Sequence, residues 1–306
     1  MRRPDVKLLA PLKRTLPGRD AGNGREHARG SVKPDPIINH MTNDAGETSM
    51  KSVLFICSLI PVAAVAAASW DGTWRTKIDT FQVSGKPDIY AVNSGKFHCA
   101  SCKPAISIPA DGKDHAVTGH PYYDTVNVRV VDASTVQWNT ASKGKVVFES
   151  TLVASADHNT LDQTTVDHTG AQVATYKGTA KRVGPMSAGA HAVSGQWQQE
   201  KSTSASDAGT TVTIATTADG IKMTYNGWVT DAKFDGKPVE VMGDPGHTMS
   251  AFKRLNGNTI QETDTRDGKV TDTTRYALAS DGQSIKVADQ DRQHGTMIRY
   301  TMQPVH

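Results

Sequence analysis

From residue 69 onward, apolar and polar residues alternate with a period of two, in short runs rich in Val, Thr and aromatic side chains. A period of two places successive side chains on opposite faces of an extended strand, so the pattern predicts β-structure. The runs Lys96–Cys99, Val126–Val131, Thr135–Thr140, Val146–Val153 and Thr160–Val166 show it most clearly. Turn chemistry separates them, as at Asp111-Gly112, Lys143-Gly144 and Asp157-His158-Asn159, where Gly, Asn and Asp relieve or cap a tight reversal. Nothing carries the 3.6-residue period of a long helix. Strand and turn together recur about every ten residues, the spacing of an antiparallel meander. Roughly eight such strands are enough for a meander to close on itself and lose its edges.

The whole pattern occurs twice. Asp111-Gly112-Lys113 returns as Asp235-Gly236-Lys237, the Gly119–Pro121 turn as Gly243–Pro245, Thr135-Val136-Gln137 as Thr259-Ile260-Gln261, and Gly144-Lys145-Val146 as Gly268-Lys269-Val270. Each landmark moves by 124 positions, and Trp74 and Trp197 differ by 123. An offset that constant implies a tandem duplication of one β unit. The expected organisation is a first barrel at 69–184, a small-residue linker at 185–193 and a second barrel at 194–306. The second copy continues the turn chemistry, with Asn226-Gly227, Asn256-Gly257 and Asp281-Gly282. Its Thr-rich alternate positions suggest a sheet with one wetted face.

Gly72-Thr73-Trp74 and Gly195-Gln196-Trp197 resemble the Gly-x-Trp that opens the first strand of the calycin group, the lipocalins and fatty-acid-binding proteins. The resemblance implies lipocalin-like barrels in which Trp74 and Trp197 pack across the floor as structural plugs. It also implies a non-catalytic binder of a small apolar or amphipathic molecule. The helix-turn-helix lid and terminal Arg-x-Tyr of fatty-acid-binding proteins have no counterpart, since Arg299 and Tyr300 are adjacent. The first repeat as a whole, with Cys99-x-x-Cys102 and Gly119–Asp124, resembles secreted proteobacterial proteins of uncharacterised function, a likeness that brings no activity with it.

Charge narrows the partners. The basic pI of about 8.6 comes from the start of the chain, because residues 1–49 hold nine Lys and Arg against six Asp and Glu. From residue 52 on there are 24 Lys and Arg against 25 Asp and Glu. With no basic stripe there is no electrostatic footprint for nucleic acid. Residues 1–49 lack apolar periodicity and cannot bury enough surface to offset the entropy of ordering, so they read as a disordered leader. Met50-Lys51, the apolar run Ser52–Val65 and the small residues Ala66–Ser69 then have the layout of a signal peptide, 50–68, cleaved after Ala68. The expected start is Met50; were Met1 the start, the run could instead persist as a signal anchor. The run is short for a membrane span, so no span is expected after cleavage, and the mature protein is expected in the periplasm or outside the cell.

Cys99 and Cys102 are the only cysteines beyond the apolar run. Export favours an oxidised pair. In the duplication they fall opposite Tyr225–Trp228, so a disulfide staple would fasten the tip that the second copy turns with Asn226-Gly227. A zinc site recruiting His98 and His115 or His120 is an alternative, and a thiol-redox centre is another. Hydrolase elbows, phosphate loops and nucleotide fingerprints are all missing from the sequence, so no catalytic residue, metal or cofactor is assigned. The most concentrated polar loop is His120, Tyr122, Tyr123 and Asp124, matched by Asp244 and His247 in the second copy. Together with Trp138 and Trp228, which would line a hollow barrel, His120, Tyr122, Tyr123, Asp124 and His247 are the candidate ligand contacts. The competing reading is an envelope interaction module whose barrels are filled with side chains and take no small molecule.

Overall fold

A computed structural model describes residues 68–306; the leader and nearly all of the signal segment lie outside the described residues. In chain order the first half contains β1 (Gly72–Gly85), β2 (Asp88–Asn93), β3 (Lys96–Cys99), β4 (Ile106–Pro109), β5 (Asp111–Ala116), β6 (Thr125–Val130), β7 (Thr135–Ser142), β8 (Lys145–Ala154), β9 (Thr160–Asp167) and β10 (Ala174–Val183). The second contains β11 (Gly195–Ala205), β12 (Thr211–Thr216), β13 (Gly220–Tyr225), β14 (Trp228–Lys233), β15 (Val239–Glu240), β16 (Met249–Asn256), β17 (Thr259–Arg266), β18 (Lys269–Leu278), β19 (Ile285–Asp291) and β20 (Thr296–Pro304). Among the described residues the only helical element is a 3₁₀ turn at Asp207–Gly209. The protein is therefore all-β, as the period-two pattern requires.

Two antiparallel ten-stranded sheets each curl into a nearly closed barrel. The first runs β4-β3-β2-β11-β10-β9-β8-β7-β6-β5 and the second β14-β13-β12-β1-β20-β19-β18-β17-β16-β15. The two orders are one list shifted by ten, except that β1 and β11 have changed places. Each repeat lends its opening strand to the other repeat's sheet. Thus β1 lies between β12 and β20, with Trp74 opposite Val212 and Pro304. In return, β11 lies between β10 and β2, with Trp197 opposite Arg182 and Asp88. The boundary at 185–193 divides the repeats as sequences, whereas the sheets are assembled across it. An exchange of this kind preserves every ladder, because the two opening strands are homologous and each fits the other's slot.

The second barrel comes closest to sealing. Val229 and Met242 form a bridge with reciprocal N–H to O hydrogen bonds of 2.9 Å, linking β14 to the segment after β15. In the first barrel β4 passes directly into β5 through Ala110, whose N–H donates to Gly95 O at 2.8 Å.

The two opening tryptophans occupy matching places. Trp74 Nε1 donates to Trp70 O at 2.9 Å and Trp197 Nε1 to Val193 O at 2.8 Å, each reaching four residues back. Both indoles are buried, and the hydrogen bond offsets the cost of taking the ring N–H out of water. Arg182 lies 4.1 Å over the Trp197 ring. Its Nη1 and Nη2 donate to Ser194 O and Ala192 O at 2.7 Å, and Nε donates to His158 O. This fork ties β10, a turn and the segment leading into β11 together at one end of the first barrel.

Candidate functional site

Strand alternation decides which side chains enter each barrel, and the ladders let the interiors be read in layers. In the first barrel the layers run Val126, Thr140, Phe148, Asp167, Ala174, then Val128, Trp138, Ser150, Thr165, Tyr176, then Val136, Leu152, Gln163, Gly178. The contents are chiefly aromatic and aliphatic: Trp138 is 1% exposed and tilts against Phe97 at 5.6 Å between ring centroids.

The second barrel has the same layers with different chemistry. The top layer reads Ser250, Asp264, Asp272, Asp291, Thr296 across β16 to β20. Beneath it come Phe252, Glu262, Thr274, Asp289, Ile298, then Ile260, Tyr276, Val287, Tyr300, and last Leu278, Ile285, Met302. Five inward carboxylates thus occupy two layers where the first barrel has one, Asp167, and none of the five is more than 6% exposed. Asp264, Asp272 and Asp291 are direct cross-strand neighbours, an arrangement in which like charges repel at Cβ separations of about 5 Å.

Hydrogen bonds organise this layer. Ser250 Oγ donates to Glu262 Oε1 at 2.5 Å and Tyr276 OH to Glu262 Oε2 at 2.8 Å. Thr274 Oγ1 donates to Asp289 Oδ1 at 2.9 Å. Asp291 Oδ1 accepts the backbone N–H groups of Gln293 and His294 at 2.8 and 2.9 Å, while Oδ2 pairs with His294 Nδ1 at 2.7 Å. The tyrosines feel the surrounding charge. Burial pushes the Tyr276 hydroxyl well above the usual tyrosine range, and the Glu262 carboxylate pushes it further. Burial and then Asp289 do the same to Tyr300. In both cases a nearby anion opposes formation of a second one.

Above the acid layer lies Arg266, 4% exposed. Its Nη2 donates to Thr248 Oγ1 at 2.6 Å and stands 3.8 Å from Asp244 Oδ2. Desolvation lowers its pKa to about 10, partly countered by Asp272 and Asp267. Its guanidinium carbon is 5.4 Å from the centre of the Tyr122 ring. Tyr122 belongs to the first repeat, so this contact joins the two barrels.

The structure separates the candidate residues drawn from the sequence. Tyr122 stacks on Trp228 at 6.1 Å with planes 6° apart and meets Phe148 edge-on at 6.3 Å. His120 and Tyr123 stack on each other at 4.7 Å. Asp124 is exposed and accepts the Lys143 N–H at 2.9 Å. His247 is exposed beside Glu240, 2.9 Å away. The structure therefore brings Tyr122 and Trp228 together between the barrels and leaves Asp124 and His247 in surface turns. Trp138 faces the first interior alone among the seven. Nothing in the hydrophobic pattern singled out the acid layer, because Glu262 and Asp264 alternate with Thr and look like a wetted face. The offset of 124 does single it out, since it aligns Glu262 with Trp138 and Asp264 with Thr140.

The cysteines form a disulfide, with Cα atoms 5.4 Å apart, and both are fully buried. The bridge fastens the tip between β3 and β4. The corresponding tip of the second repeat is the Asn226-Gly227 turn, with φ of +43° and +85°, conformations that Asn and Gly tolerate best. That turn docks on the first repeat: Asn226 O and Oδ1 accept from the Ala171 and Gln172 N–H groups at 2.8 and 3.0 Å, and Nδ2 donates to Gln172 O at 2.8 Å. A Cβ at Gly227 would lie 2.6 Å from Ala171 Cβ.

Among the described residues no group of His, Cys, Asp and Glu is arranged to hold a metal ion. No helix among them is long and apolar enough to cross a membrane. No protein-family model, curated protein or solved structure matches the chain. The fold and the site therefore carry the functional argument: two barrel-like β folds, compatible with a binding or a structural module.

Proposed function

We propose that the protein is an exported, non-catalytic, lipocalin-like binding protein whose second barrel takes a small amphipathic molecule. One observation carries this reading. The two barrels share strand order and layer positions, yet only the second grades from a charged layer at Arg266 to an apolar layer at Leu278, Ile285 and Met302. Buried charge costs several kcal/mol per group unless it is compensated. The first barrel folds on the same plan with a mostly uncharged interior, so the plan itself does not require that cost. A graded interior suits a ligand with one polar and one apolar end. The first barrel, filled by Phe97, Trp138, Phe148 and Tyr176, supports the scaffold half of the alternative reading: an interaction surface with no small molecule of its own.

Native mass spectrometry of the protein from Ser69 onward tests the proposal. A bound small molecule that survives gentle ionisation and is lost on denaturation is expected. Protein of the bare polypeptide mass, taking up none of a panel of amphiphiles, would refute it.

A further inference from the structure

We infer that the outer face of the second barrel carries a site for a small anion bearing several phosphoryl groups, gripped by Arg275, Lys286 and Arg299. The site lies outside the barrel wall, so it does not depend on what the interior holds.

Three observations lead to it. First, the wall is sorted by sign. Strands β16 to β20 bear five carboxylates, Glu262, Asp264, Asp272, Asp289 and Asp291, and all five are buried on the inner side. Arg275, Lys286 and Arg299 have the opposite parity and are exposed on the outer side. Among the described residues none of the three forms an ion pair, and Arg275 Nε donates to a neutral partner, Gln261 Oε1, at 3.3 Å. Second, the first barrel follows the same plan with mixed signs. Thr151, Asp162 and Lys177 hold the ladder positions of Arg275, Lys286 and Arg299, and Glu149 is exposed two residues before Thr151. One positive and one negative charge have become three positive ones. Like charges gathered on one face repel, so folding alone does not call for them. Third, the three side chains surround an open hollow of about 550 Å³, floored by the small side chains of Ala277 and Ala288. The hollow lies where β1 leaves the ladder, since the five steps from Lys77 to Gln82 match only two from Thr301 to Arg299. There Thr80 Oγ1 replaces the main chain as acceptor for the Thr301 N–H, at 2.9 Å. Such a volume is that of a small-molecule site.

Spacing and charge select the ligand. Neighbouring strands lie about 4.8 Å apart, so the stems of Arg275 and Arg299, two strands apart, are separated by roughly 10 Å; Lys286 stands about 7 Å along β19 from the row that joins them. A single-headed monoanion satisfies one of the three. Each phosphoryl group brings up to about two negative charges and three acceptor oxygens, and a guanidinium fork matches two of those oxygens at once. Two or three linked phosphoryl groups therefore meet all three cations within the hollow.

Titration calorimetry with tripolyphosphate, orthophosphate and citrate at low ionic strength tests the inference. Tripolyphosphate is expected to bind once per chain, more tightly than the other two, and to weaken as salt screens the charges. Arg275→Gln, Lys286→Gln and Arg299→Gln are each expected to weaken it about fivefold, the upper end for one exposed charge pair. Lys177→Gln, at the matching place on the first barrel, is expected to change nothing. All four side chains are exposed, so the variants should keep the wild-type near-ultraviolet circular dichroism. Absence of tripolyphosphate binding, several ions bound per chain, or equal weakening by Lys177→Gln would each overturn the site. Citrate binding as tightly as tripolyphosphate would overturn the phosphoryl assignment in favour of a polycarboxylate. None of these results bears on a molecule held inside the barrel, which native mass spectrometry reads separately.

Discussion

Cutting the chain between the repeats should fail to separate them. With β1 in the second sheet and β11 in the first, a protease site placed within Pro185–Ala190 yields two fragments, each holding a strand that completes the other's barrel. Pulling them apart would expose Trp74 and Trp197, both at most 2% exposed. Removing a buried tryptophan costs about 3–5 kcal/mol, so the two indoles contribute roughly 6–10 kcal/mol to association. Four ladders are broken as well: β1 to β12 and β20, and β11 to β10 and β2. At about 1 kcal/mol net per hydrogen bond, these offset much of the roughly 4–15 kcal/mol that association costs in lost freedom. The cut protein should elute from gel filtration as one species at micromolar concentration, with its near-ultraviolet circular dichroism unchanged, and come apart only in denaturant. Two separately eluting, folded fragments would show that each repeat closes with its own first strand and would refute the exchanged topology.

Three further outcomes are expected. Replacing Cys99 and Cys102 with Ser should lower stability by about 2 kcal/mol, the entropy released by opening so short a loop, measured as a lower urea midpoint with an unchanged slope. Arg182→Met keeps the stem but removes three donations to carbonyls and the charge over Trp197; a loss of about 2–4 kcal/mol is expected, and a melting temperature equal to wild type would count against the fork as a tie. Tyr276 and Tyr300 should remain protonated above the ordinary tyrosine range near 10, so absorbance titration of the native protein should fall short of the change that all seven tyrosines give on unfolding. Their folded pKa values are raised, so the unfolded chain releases these protons first. Stability is then full below about pH 10 and declines as pH rises beyond it; complete titration of all seven in the native state would contradict the burial argument.

How much of this was legible in the residues depends on what alternation can encode. Period two and the turn dipeptides gave the strands, and the constant offset aligned β6, β7 and β8 with β16, β17 and β18 residue for residue. The segments that became β1 and β2 were less legible, because Lys77 to Gln82 breaks the register of β1 and blurs its alternation. The exchange of β1 and β11 left no trace at all. Alternation fixes which face a side chain takes, and two homologous strands satisfy either barrel equally. Tyr122 and Trp228 were identified as aromatic contacts, but their meeting depends on how the barrels pack, which no local pattern reports. The acid layer was hidden for a different reason: hydrophobicity assigns charged residues to the outside. Val136 and Ile260, both inward at matched positions, fix the parity of β7 and β17 and place Glu262 and Asp264 inside.

The traded strands also impose an order of events on a chain made from its N-terminus. The first barrel must wait for residues near 205 before its gap between β10 and β2 is filled. β1, the first of the described strands to emerge, has both of its neighbours, β12 and β20, in the later half. Its second neighbour, β20, is the last of the described strands. The first of the described strands is thus among the last to be secured, and a chain that lacked β20 would hold it by β12 alone.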